Sequence, residues 1–169
     1  MATDDLYINP GTEITFQSAG GTVAITVDDN VAAGDGAKSA LATLHTNYTD
    51  NRPTMYRWTC KCFWAAGAAV GDQLLLYVAE ANADGEHDGG VAAGDAAFTD
   101  EDALKNMTFV GQVLCSNATE EQEYASGAVE ITSNKVVLVV WNNSAGATMH
   151  ATATNFEFKL LPTPLHQEA

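Results

Sequence analysis

Basic side chains are scarce in this sequence: 7 Lys and Arg stand against 22 Asp and Glu, a formal charge of -15 over 169 residues. A field of that sign repels phosphate and anionic lipid, so neither nucleic acid nor a membrane is expected as a partner. Long apolar runs are missing too. The longest, residues 74–79 and 136–141, are of strand length, whereas a spanning helix takes about 20 residues. Residues 1–5 carry two acids and no greasy stretch, so no secretory signal is read there and folding in cytoplasm is expected. Cysteine is limited to Cys60, Cys62 and Cys115, an odd number without a C-x-x-C pair. Cys60 and Cys62, two apart on a strand, share a face with diverging backbones, which is poor disulfide geometry. All three are expected to be reduced core thiols rather than metal ligands or nucleophiles.

What is present is a folded-domain composition, 46% hydrophobic and 17% charged. A single domain of this length buries roughly 70% of the surface of its extended chain, enough for a core without staples. Residues 54–64 give the clearest strand: Tyr56, Trp58, Cys60, Cys62 and Trp64 alternate with Arg57, Thr59 and Lys61. Residues 13–16 and 22–27 alternate likewise around Gly20-Gly21 and read as a hairpin. Residues 73–80 are apolar on both faces and need cover on both. Strands over 108–115, 123–132, 135–141 and 148–161 bring the count to about eight, with Ser133-Asn134 and residues 142–146 as turns. One short helix, residues 99–107, is capped by Thr99 or Asp100 and reads as a connector. Long loops over 28–51 and 82–98 are rich in Ala, Gly and Asp.

These elements predict an all-β fold, a two-sheet antiparallel β-sandwich of jelly-roll type with one short connector helix. Residues 1–12 are expected as an extended N-terminal arm, 13–165 as one sandwich domain and 166–169 as a tail. The apolar runs 74–79 and 136–140 imply either central strands or strands covered by another chain, hence an expected oligomer.

No set of side chains announces chemistry. His45, His87, His150 and His166 lack metal spacing, and no serine sits in a Gly-x-Ser-x-Gly turn. Residues 34–39, Gly-Asp-Gly-Ala-Lys-Ser, lack the glycine directly before lysine that a phosphate loop requires. Glu80, Glu130 and Glu157 are the acids placed within strands, where a glycosidase pair would have to stand, and each reads equally as a solvated outer-face residue. Asp84, Glu86, Asp88 and Asp95, with Gly89, match positions 1, 3, 5, 12 and the turn glycine of a calcium loop. The match departs at Glu86 and Asp95, and a strand precedes it, so a plain solvated loop is the stronger reading. Sequons at Asn47, Asn106, Asn117 and Asn142 follow from a composition rich in Thr and Asn. Trp58, Trp64 and Trp141 read as core rather than as a sugar platform. No cofactor, metal site or catalytic residue is expected.

The run WTCKCFWAAGAAVGDQLLLYVAEANADGEHDGGV, residues 58–91, and VVLVVWNNSAGATMHATATNFEFKLLPTP, residues 136–164, resemble small β-sandwich virion proteins of tailed bacteriophages. Capsid decoration, or cement, proteins are the nearest type. That resemblance implies a non-enzymatic protein assembled in host cytoplasm and bound to the capsid exterior. It implies the major capsid protein as partner and a homotrimer over a local three-fold axis. Leu6, Tyr7 and Ile8, apolar residues in a polar terminus, are the expected docking arm, with a first edge strand as the alternative. A carbohydrate- or receptor-binding tail module and a tail-tube or head-completion protein are the other readings.

Overall fold

The computed structural model describes residues 12–45, 53–65, 68–81, 87–116 and 122–163. Among the described residues there are ten strands: β1 (Ile14–Phe16), β2 (Gly36–Lys38), β3 (Ala42–Thr43), β4 (Met55–Phe63), β5 (Gln73–Ala81), β6 (Ala96–Phe98), β7 (Thr108–Leu114), β8 (Gln122–Glu130), β9 (Lys135–Asn143) and β10 (Glu157–Pro162). One sheet has the order β1-β10-β4-β8. The other has the order β6-β2-β9-β5-β7, with β3 also on β9. All named strand pairs are antiparallel. The pairing is nested, β1 with β10, β2 with β9, β4 with β8 and β5 with β7, which is the jelly-roll wrapping of a two-sheet sandwich.

The alternation read along 54–64 is what builds the core. Tyr56, Trp58, Cys60 and Cys62 turn inward and meet Phe16, Phe158 and Leu160 from their own sheet. Leu74, Leu76, Val78, Val136, Leu138 and Val140 close the core from the other sheet. The three tryptophans are buried at 5%, 1% and 4% exposure, so the sequence reading of core over sugar platform holds. Cys60, Cys62 and Cys115 are buried thiols. Burial, then the negative groups at Glu123 and Cys115, push the Cys62 thiol far above the ordinary 9.0, and burial raises Cys60 as well. Iodoacetamide at pH 8 is therefore expected to label none of the three in the native protein and all three after unfolding, read by intact mass. The sign follows for stability. A raised folded-state value leaves the contribution of Cys60 and Cys62 complete below the unfolded value and erodes it as pH climbs from about 9 toward the folded value.

Several sequence expectations change in three dimensions. Residues 13–16 and 22–27 do not form a hairpin. β1 pairs with β10, and the 22–27 segment meets β1 at an isolated parallel bridge from Phe16 to Val23 rather than in an antiparallel ladder. The Gly20-Gly21 turn is bonded by backbone contacts in which Thr15 O accepts the amides of Thr22 and Val23. The 148–161 segment is not one strand: a bridge at Met149 and a 3-10 turn at Ala153–Asn155 precede β10. Ser133-Asn134 joins β8 to β9, yet these strands lie in opposite sheets, so the turn is a crossing between layers. The expected loops contain β2, β3 and β6, whose two to three residues are too short for a periodic signal.

The helix expected at 99–107 is a 3-10 helix, Glu101–Asn106, whose Ala103 amide donates to the Asp100 carboxylate. It is more than a connector. Ala103, Leu104 and Met107, with Val91 and Phe98, lie over Ala79, Val137, Val139 and Trp141 on the outer side of the six-stranded sheet as a second apolar cluster. The two-faced apolar runs of β5 and β9 are thus satisfied within the chain: both strands are central, and residues 91–107 form the lid on their far side. The apolar surplus that implied a neighbouring subunit no longer requires one.

Candidate docking face

The outer face of the four-stranded sheet is the surface with the most distinctive chemistry. On β4 the residues between the core positions, Met55, Arg57, Thr59, Lys61 and Phe63, point away from the core. Register sets their neighbours. Arg57 stands beside Leu161 and Ala128, Thr59 beside Lys159 and Ser126, and Lys61 beside Glu157 and Tyr124. Three of the seven basic residues, Arg57, Lys61 and Lys159, therefore share one face. Across it stand Glu13, Glu130 and Glu157, so the face is balanced in charge on a chain of -15. Lys159 Nζ lies 3.7 Å from Glu13 and 3.6 Å from Glu157. These exposed pairs are weak in energy but neutralise Lys159 locally. Arg57 and Lys61 have no acidic partner within ion-pair distance among the described residues.

Between these side chains runs a shallow groove of about 530 Å³, floored by the β4 and β8 backbones at Trp58 and Gly127. Thr59, Ser126 and Ala128 are small, which keeps the middle of the face low, while Lys159, Leu161 and Glu13 form one bank. Tyr124 at 69% and Leu161 at 46% exposure are the large apolar side chains most open on this face. Alternation in the sequence singles out Arg57, Thr59 and Lys61 as an outer row. The convergence with Lys159 and Tyr124 depends on strand register and has no local sequence signal.

The other candidate residues are dispersed. Leu6, Tyr7 and Ile8 lie outside the described residues, as do Asp84, Glu86, His166, Asn47 and Asn117. Of the calcium-type positions, Asp88 accepts the Glu80 amide at 3.3 Å, and Asp95 accepts the amide and hydroxyl of Thr26 at 2.6 and 2.8 Å. Both carboxylates thus pin loops to the sandwich. Among the described residues no group of three His, Cys, Asp or Glu is arranged to hold a metal ion. Glu80 accepts from the Thr108 hydroxyl and from the amides of Thr132 and Ser133, holding the turn between β8 and β9. Glu130 and Glu157 flank opposite ends of β4, six residues apart along it, or about 20 Å at strand rise, too far for a glycosidase pair. His45 Nε2 meets the Tyr56 hydroxyl at 2.8 Å, and His150 Nδ1 accepts the Thr152 amide at 3.0 Å. The Asn142 sequon is consumed by the fold: its buried side-chain amide donates to Val31 O and Ala147 O.

No family model matches this chain, and no curated protein matches it by sequence. Among solved structures, the crystal structure of murine APRIL at pH 8.0 is similar with a TM-score of 0.45 and 5% sequence identity, over 90% of this chain and 100% of that one.

Proposed function

We propose that this chain is a structural protein of a virion shell, a capsid decoration or cement protein that binds the outside of the head and performs no chemistry. The observation that carries the reading is the charge-balanced, groove-bearing outer face of the four-stranded sheet on an otherwise strongly acidic body. Self-repulsion keeps such a protein soluble and its decorated particles apart, and the balanced face is where a partner meets least repulsion. The chemistry-bearing residues of the described chain are spent on loops and turns, as at Glu80 and Asp95, which fits a binding role. The resemblance of residues 58–91 and 136–164 to phage virion proteins supplies the partner, the major capsid protein, and a trimeric arrangement at three-fold positions. Many small contacts, multiplied over the copies on a head, would brace capsomers against internal pressure.

The test uses heads of the cognate phage assembled without this chain. The purified protein should co-sediment with them and raise their resistance to heat, and Arg57→Glu with Lys61→Glu should weaken binding by about tenfold or more, as truncating charges at an interface does. Heads that stay bare, or a double variant that binds like the parent, overturn the reading.

A further inference from the structure

We propose that the groove between the 3-10 helix Glu101–Asn106 and strands β5 and β7 receives one lysine side chain of a protein partner, its ammonium seated between the Tyr77 and Phe109 rings and facing Glu101. The site lies on the outer side of the six-stranded sheet, across the sandwich from the groove at Trp58 and Gly127, and the inference stands without the capsid reading.

The groove begins with a break in register. Along β5 and β7 the pairs run Leu74 to Val113, Leu75 to Gln112 and Leu76 to Gly111, then skip one residue so that Tyr77 stands opposite Phe109. An unbroken ladder would put Val110 opposite Tyr77 on the outer face and turn Phe109 into the core. The bulge exchanges them: Val110 is buried in the core, and Phe109 is turned out at 52% exposure. A phenyl ring is thus displayed where a smaller valine is hidden, the reverse of what core formation favours.

Shape and charge select the occupant. The two rings meet edge to face, with centroids 5.3 Å apart and planes at 63°. Walls at that angle make a corner, which suits a compact rounded cation better than the flat stacking that a sugar ring takes. Leu75, Leu104 and Met107 line the rest of a cavity of about 360 Å³, an apolar bed for an alkyl stem. Its rim is acidic. Glu101 and Asp102 open the helix, and Lys105 is held by Asp102 at 2.5 Å, which leaves Glu101 without an ion-pair partner among the described residues. Burial, and then the Glu101 carboxylate, push the Tyr77 phenol above its ordinary 10.0, so the field of that carboxylate reaches the ring pair. An ammonium in the corner gains two ring quadrupoles and one carboxylate. The body carries -15, so a basic partner surface is drawn toward it from a distance.

The test is a titration of isotope-labelled protein followed at the Tyr77 and Phe109 ring resonances. Nα-acetyl-lysine methylamide should shift both with a dissociation constant in the millimolar range. Nα-acetyl-norleucine methylamide, which keeps an alkyl stem and lacks the charge, should bind at least about 10-fold more weakly. Phe109→Ala and, separately, Glu101→Gln should each weaken the lysine probe about 5- to 10-fold, while Phe109→Tyr retains it. Both side chains are exposed, so these variants keep the fold. Equal binding of the norleucine probe would make the groove an apolar slot, and shifts from methyl glucoside but not from lysine would make it a sugar subsite. Shifts from choline with none from lysine would mean a free small-molecule ammonium. No shift from any probe would mean that Tyr77 and Phe109 are a cross-strand pair of structural role alone. Any of these results, or a lysine probe indifferent to Phe109→Ala and Glu101→Gln, overturns the proposal.

Discussion

Gly111→Ala is expected to destabilise the protein by about 1–3 kcal/mol, the cost of overpacking a filled core. The glycine lies on β7, in the six-stranded sheet, and a Cβ there falls inside the contact shell of Trp58 Cζ2 and 2.8 Å from Cη2. The indole has nowhere to go. Gly127 of β8, in the four-stranded sheet, faces it so closely that a Cβ would come within 2.8 Å of Cε2, Cζ2 and Nε1, and the Phe158 ring lies 6.1 Å away at 26°. Two glycines on opposite sheets thus make room for one tryptophan. Trp58→Phe removes the outer indole atoms, and because Nε1 is buried without a hydrogen-bond partner among the described residues, the change sacrifices volume but no hydrogen bond to them. The pair Gly111→Ala with Trp58→Phe should therefore be less harmful than the sum of the single changes by about 1 kcal/mol in a double-mutant cycle of urea unfolding. Strict additivity would show that the ring and the glycine do not meet.

Phe98→Ala should cost still more, about 3–5 kcal/mol, a large share of the 5–15 kcal/mol that holds a domain of this kind together. Phe98 is nearly buried and meets Trp141 edge to face, with centroids 6.1 Å apart and planes at 80°. It belongs to β6, a three-residue strand at the margin of the six-stranded sheet, so its energy resides in the ring rather than in backbone pairing. Its loss should lift residues 91–107 from Val137, Val139 and Trp141. Three readouts follow: a lower urea midpoint, a red-shifted tryptophan emission and binding of a hydrophobic dye to the native state. A loss below about 1 kcal/mol with unchanged emission would mean that the lid is not what hides this face.

The candidate face was partly visible before the fold was known. Arg57, Thr59 and Lys61 are the polar half of the most regular alternation in the sequence, and such a row predicts an outward-facing strip wherever the strand is placed. Lys159 and Tyr124 were not visible as members, since Thr59 opposite Lys159 and Lys61 opposite Tyr124 are facts of register. Asp95 and Glu80 show the converse. Their sequence settings invite metal or acid chemistry, and the folded chain uses them to tie Thr26 and the 132–133 turn in place.

The sequence by itself determined the strand-rich class, the inward row of Tyr56, Trp58, Cys60 and Cys62, and the demand that residues 74–79 and 136–140 be covered on both sides. Each of these is a period-two property, carried by neighbours along the chain. Only the tertiary structure decided what meets that demand and how the strands are shared between sheets. Residues 91–107 return over the six-stranded sheet, β8 and β9 part into different layers despite a short turn, and β1 prefers distant β10 to the adjacent 22–27 segment. The physical reason is that alternation fixes which way a side chain points, whereas pairing is chosen by the volume it must fill, and volumes such as the Trp58 slot between Gly111 and Gly127 are assembled from residues far apart in sequence.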